Sequence, residues 1–205
     1  IAALLTAVCW TFNSLVFTWA GKRVGAVTVN AMRLWIAVPA LLLAHGLMFA
    51  TPFPFVVEPS RFICLGVSGV IGFVIGDTML FESFLLIGPR LAMLLSLLVP
   101  VFGAALAWVF LGEKLAALEV LGILVTIGGV AWVVAEKAAP FAAPTSTSGT
   151  FSAASRQPRP YRLGILLAVG GAAGQALGLL FSRLGLAGGY SALSATLIRV
   201  MVAGL

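Results

Sequence analysis

Long apolar runs, separated by short polar, Gly-rich or Pro-rich joints, set the rhythm of the chain, and the runs are continuous rather than alternating. Continuous runs of about 20 residues predict spanning helices, whereas barrel strands alternate over about 10. The first span covers Ile1 to about Ala20, ahead of Gly21-Lys22-Arg23-Val24-Gly25, and the second covers about Thr28 to Phe49. A turn from Thr51 to Pro59 follows, in which each Pro removes a backbone donor and restricts its neighbour. The third span, about Arg61 to Ile87, is long enough to tilt or overhang the bilayer. The fourth covers about Leu91 to Leu111 and the fifth about Ala116 to Ala135. Residues 136–162 lose the apolar pattern for Pro, Ser and Thr and read as a linker. A sixth span runs from Leu163 to about Leu184, and a shorter seventh begins near Ser191.

Composition turns this pattern into a class. Of 205 residues, 61% are hydrophobic and 9% charged, with a mean hydropathy of +1.16, against about a quarter charged in soluble domains. The expected fold is therefore all-α, a polytopic transmembrane helix bundle with the lipid bilayer as its main partner. The net charge of +6 is spread over short connections and has no basic cluster interleaved with aromatics, which argues against nucleic acid. The chain opens IAALLTAVCW without an initiating Met and stops at Ala203-Gly204-Leu205, about 15 residues into an apolar segment. It is expected to be a fragment, trimmed slightly at the front and heavily at the back. Cys9 and Cys64 sit in apolar runs and are expected to be buried thiols rather than a disulfide.

The sixth span restarts an earlier pattern. Leu4-Leu5, with Asn13 eight residues beyond, matches Leu166-Leu167, with Gln175 eight residues beyond. A basic residue follows in each, Lys22 and Arg183, and then Thr28-x4-Arg33 matches Ser194-x4-Arg199. The boundaries expected are a first five-helix repeat over 1–135, a linker over 136–162 and the start of a second repeat over 163–205. Five is odd, so the second copy enters the membrane from the opposite side, as in many secondary transporters. A complete protein on this plan has ten spans.

Polar residues within the spans are the candidates for chemistry. Asp77 and Glu82 lie in one apolar helix, five positions and hence about 140° apart, so they cannot share one narrow face. A membrane-embedded carboxylate points to a substrate pathway or proton relay. Asp77 is the better candidate, while Glu82 lies nearer the helix end, within reach of Arg90 or the headgroups. Arg33 and Arg199 stand about a turn and a half into their spans; snorkelling to the interface would satisfy both. A sharper alternative sets one charge at each mouth of a cavity, where it attracts anionic substrates. Asn13 and Gln175 are suited to interhelical hydrogen bonds or to substrate contact at the midplane, and Trp10 to packing or stacking on a substrate. Pro100 removes the backbone bond to Ser96 O and predicts a kink, either as simple packing or as a flexing point. Gly66, Gly69, Gly72 and Gly76, with Gly170, Gly174 and Gly178, form stripes that let helices approach closely. His45 is the single histidine, no metal-ligand spacing occurs, and no GxxxxGK or GxSxG is present, so no cofactor and no catalytic set are expected.

The start Trp10-Thr11-Phe12-Asn13, Lys22, Arg33 and the stretch GPRLAMLLSLLVPVFGAALAWVFLGEKLAALEVLGILVTIGGVAWVV from Gly88 to Val134 resemble the EamA-type transporters of the drug/metabolite transporter superfamily. Pro100, the Gly112-Glu113 pair and Gly122 stand where that family's pattern has them; Val99 departs from it, since many members carry Glu there. The resemblance implies two inverted five-helix repeats around a central cavity, import or export of small metabolites, and a multi-pass protein of the bacterial cytoplasmic membrane. It also implies that both chain ends are cytoplasmic. Charge counting disagrees: Lys22, Arg23, Arg90, Lys137, Arg156, Arg159 and Arg162 lie on the linker side, against Arg61, Lys114 and Arg183 opposite.

The reading that follows is a secondary transporter of small metabolites or drug-like compounds, working by alternating access and coupled to protons or to substrate gradients, with Asp77 as the coupling candidate. A non-transporting scaffold or receptor needs the same packing glycines but no polar cavity, and a membrane-embedded enzyme lacks its catalytic set. What separates these readings is whether Asn13, Asp77 and Gln175 converge. The sequence sets no oligomeric state.

Overall fold

In the computed structural model, residues 2–51, 53–54, 57–138 and 161–205 are described; most of the linker over 136–162 lies outside them. The described residues are helical, with no strand among them, in the order α1 (Ala2–Val24), α2 (Ala26–Phe49), α3 (Pro59–Gly69), a π-helical segment (Val70–Gly76), α4 (Asp77–Ile87), α5 (Pro89–Ser96), α6 (Leu98–Leu111), α7 (Ala117–Ala138), α8 (Tyr161–Gly185) and α9 (Ala192–Ala203). α3, the π segment and α4 are continuous and form span three, Pro59–Ile87, while α5 and α6 form span four, Pro89–Leu111. Six helices among the described residues are long and apolar enough to cross a membrane. Their outward faces carry Leu4, Trp35, Leu47 and Trp132, all strongly exposed, as expected where lipid is the solvent.

Tight joints are made by glycine. Gly25 joins α1 to α2 at φ 87°, ψ 154°, and Gly88 joins α4 to α5 at φ 85°, ψ 155°. This region is open essentially to Gly alone, so each reversal takes a single residue. Pro89, with no N–H to satisfy, opens α5. Regular α-helix is interrupted at Leu97, three residues before Pro100, where the Leu97 N–H bonds to Leu94 O at 3.1 Å. Pro100 has no N–H to give Ser96 O, which favours such a local tightening of the helix ahead of it.

Span three is the axis of the bundle. α8 lies along it from Gly164, beside Leu86 and Ile87, to Gly185, beside Leu65. Between these ends the contact is backbone to backbone: a Cβ on Gly178 would stand 2.7 Å from Gly72 Cα, and one on Gly76 would stand 2.9 Å from Gln175 N. Ser68 Oγ donates to Gly178 O across the same seam. Apolar clusters gather around this axis: Ala26, Leu80, Phe81, Phe84 and Ala92 at one place, and Leu65, Ala195 and Ile198 at another.

At the end of the bundle opposite Gly164, polar contacts tie the loops together. His45, buried at the end of α2, has Nδ1 2.6 Å from Thr51 O and Nε2 2.9 Å from Ser194 Oγ. A carbonyl only accepts, so Nδ1 donates to Thr51 O, and Nε2 shares a hydrogen bond with the Ser194 hydroxyl. Arg61 donates to Ala187 O at 3.0 Å and lies 4.6 Å from the Tyr190 ring, and Arg183 pairs with Glu113 at 3.5 Å. Burial holds the Tyr190 phenol above its usual range, against the lowering pull of Arg61.

The cysteines correct an expectation. No disulfide joins them, but neither thiol is fully buried: Cys9 is exposed on α1 and Cys64 half-buried on α3. A thiol behaves as a small apolar side chain, which faces lipid as readily as it faces a core.

Candidate functional site

Asp77 begins α4 at the point where span three passes from π to α geometry. Its N–H bonds back to Gly72 O, whereas an unbroken α-helix would use Phe73 O. Phe73 O instead accepts from Asn30 Nδ2 of α2 at 2.7 Å. The π turn thus sets a backbone acceptor beside the carboxylate, in the middle of an apolar helix.

Five side chains then converge. Arg33 Nη2 donates to Asp77 Oδ2 at 2.5 Å and to Asn30 Oδ1 at 2.9 Å. Gln175 Nε2 of α8 donates to Asp77 Oδ1 at 2.7 Å, and Asn30 Nδ2 also reaches Thr78 Oγ1 at 2.8 Å. The Asp77 side chain is 7% exposed and that of Arg33 23%. Both carboxylate oxygens are engaged, one by a charged donor and one by an amide, as a carboxylate in an apolar bundle requires.

Two rings frame this carboxylate. Phe73 and Phe81 stand four positions before and after it; the Arg33 guanidinium lies 5.0 Å from the Phe81 ring and the Arg199 guanidinium 4.5 Å from the Phe73 ring. Arg199 Nε is buried and has no hydrogen-bond partner among the described residues. One carboxylate therefore stands between two guanidiniums, and the cluster has a surplus of one positive charge in apolar surroundings. Snorkelling, expected for both arginines, is not what the structure shows for Arg33, whose guanidinium turns inward to Asp77. A buried carboxylate one helix away is the stronger attraction in a medium of low dielectric.

Of the sequence candidates, Arg33, Asp77 and Gln175 meet in this network, and Arg199 stands next to it. Asn13 lies elsewhere, exposed on α1, and Trp10 is 36% exposed on the same helix. Glu82 is half-buried and pairs with neither Arg90 nor any other cation among the described residues. Pro100 is exposed and lines a separate groove of about 440 Å³ with Glu113, Lys114, Thr126 and Arg183. Asn30, Phe73, Thr78 and Phe81 are members of the site that sequence reasoning passed over. Two signals point to them in retrospect: the three-residue step from Asn30 to Arg33, and the Phe73-x3-Asp77-x3-Phe81 spacing.

A second groove, of about 420 Å³, opens beside the network between α2, the π segment and α9. It is lined by Arg33, Leu34, Ala37, Ala40, Leu41, Phe73, Thr196 and Val200.

The model of the EamA-like transporter family matches residues 1–135, about two thirds of the chain. The chain belongs to that family. No curated protein and no solved structure matches it. EamA-like membership together with six apolar helices makes this a multi-pass membrane transporter of the drug/metabolite transporter kind. The matched region holds Asn30, Arg33 and Asp77, whereas Gln175 and Arg199 lie beyond it.

Proposed function

We propose that the chain is part of a secondary transporter that moves small metabolites by alternating access, with Asp77 as its coupling group. One observation carries this reading: Asp77 is held at once by Arg33 of the first repeat and by Gln175 of the second. Movement between those helices has to break or carry one of these bonds. The pairing of Arg33 with Phe81 and of Arg199 with Phe73 supports an internal repeat, since the two matched arginines approach the same span from related positions.

Protons supply a trigger in this scheme. A protonated Asp77 loses the charge that holds Arg33 and gains an O–H donor on one oxygen, which weakens the contact that oxygen accepts and loosens the grip on Arg33. Arg33 and Arg199 are the cations that face this group. Either one can restore neutrality when the proton leaves, which gives the carboxylate two alternative partners and the bundle two arrangements.

The test is transport by the full-length protein in proteoliposomes under an imposed proton gradient, across a panel of small amphipathic metabolites. Asp77→Asn is expected to lower gradient-driven flux at least about tenfold, and Asp77→Glu to retain part of it. Gradient-independent transport that Asp77→Asn leaves unchanged would sink the coupling role.

A further inference from the structure

We infer that the groove between α2, the π segment and α9 binds the carboxylate of a small amphipathic anion, with Arg33 as its anchor. The inference rests on the transport reading of the same network and names the class of compound it takes.

The charge count comes first. Arg33, Arg199 and Asp77 leave one positive charge uncompensated in an apolar setting, and Arg199 Nε is buried without a partner. Such a surplus favours an anion over a neutral or cationic guest. The donors come second. A guanidinium has five N–H donors, and Arg33 uses the two on Nη2, one for Asp77 and one for Asn30. The N–H groups of Nη1 and Nε have no partner among the described residues; both bidentate edges of the guanidinium use Nη2, so these groups offer a carboxylate single charge-assisted N–H···O bonds.

The walls come third. Apart from Arg33 and the Thr196 hydroxyl, the groove is lined by Leu34, Ala37, Ala40, Leu41, Phe73 and Val200. Thr196 Oγ1 donates to Ala192 O at 2.8 Å, so its hydroxyl proton is spent and its lone pairs serve only a donor. The anionic end therefore belongs at Arg33 and the body of the ligand along the aliphatic walls. A volume of about 420 Å³ falls in the lower part of the range for small-molecule sites. One apolar body with one carboxylate is the complement of this surface.

The probes are 4-phenylbutyrate and its primary amide, matched in shape and different in charge. Binding is measured by equilibrium dialysis against the full-length protein in lipid nanodiscs, with empty nanodiscs subtracted. The carboxylate is expected to bind at least about tenfold more tightly than the amide. Arg33→Lys, which keeps the charge and loses the Nη1 and Nε donors, is expected to weaken carboxylate binding at least about tenfold while leaving the amide unchanged. Ala37→Leu fills the groove without touching the network and is expected to weaken both probes. Equal binding of the two probes, no binding of either, or carboxylate binding untouched by both substitutions would overturn the inference. The two readings fail separately. Asp77-dependent transport without a carboxylate preference removes only the ligand class, whereas carboxylate binding without Asp77-dependent transport removes only the coupling role.

Discussion

Asn30 decides how well Arg33 can hold Asp77. Its amide nitrogen is shared between Phe73 O and Thr78 Oγ1, and its oxygen receives Arg33 Nη2. Asn30→Ala removes all three bonds, strands the carbonyl that the π turn releases and frees the guanidinium to rotate. Interhelical bonds of this kind contribute about 0.6 kcal/mol on average and up to about 1.7. The expected loss is about 1–2 kcal/mol in a reversible unfolding titration, together with lower transport. An unchanged unfolding midpoint would mean that Arg33 needs no such support. Asp77 and Gln175 were legible from the sequence because a carboxylate and an amide in apolar runs demand partners. The destination of Arg33 was not: its depth in the span fits snorkelling, and only the fold shows which neighbour it meets. Asn30 was passed over because a single amide near a span end is unremarkable until the π turn sets Phe73 O opposite it.

The glycine stripe of span three shows what elements add to residues. In the sequence Gly66 and Gly69 are equivalent members of one run. In the fold, a Cβ on Gly66 would meet only the Val202 side chain, at 3.5 Å, which is ordinary contact, whereas one on Gly69 would run into Arg199 O, with Arg199 Cα 3.0 Å away. Gly66→Ala is expected to be neutral or slightly stabilising, since Ala is the better helix former by about 1 kcal/mol. Gly69→Ala is expected to cost about 1–3 kcal/mol by overpacking, because backbone cannot rotate aside. Thermal unfolding of the two variants in nanodiscs separates them, and equal midpoints would deny the close approach of α9. Span limits were read to within a few residues, because apolar length and Gly or Pro joints are local. The π segment was not, because its extra residue per turn depends on packing of α8 against Gly72 and Gly76. The phase of α1 was also hidden: an all-round apolar helix gives no period from which to place Cys9 or Asn13.

At the scale of the molecule, the described residues set a close seam between spans three and six and an open groove beside α2, and this contrast bears on where motion belongs. Spans three and six meet backbone to backbone from Gly178 to Gly171, which leaves no side-chain layer to repack. α2 meets the π segment and α9 across a groove of about 420 Å³. Packed backbones slide at high cost, whereas a helix beside a groove can change partners. In this scheme the Asp77–Gln175 bond stays within the seam, and Arg33–Asp77 is the bond that opens. A disulfide across the seam tests it. A Cβ on Gly164 would lie 3.4 Å from Ile87 Cβ, close to the spacing of about 3.5–4.5 Å that a disulfide needs. Ile87→Cys also removes the Cγ2 that crowds this position. The pair Ile87→Cys/Gly164→Cys goes into a background in which Cys9→Ser and Cys64→Ser eliminate stray thiols, and mass spectrometry verifies the bond. Transport by the oxidised protein is expected to stay within about twofold of the reduced form, a difference of under 1 kcal/mol in the barrier. If oxidation stops transport and reduction restores it, spans three and six part during the cycle, and the moving boundary lies between the repeats rather than beside α2.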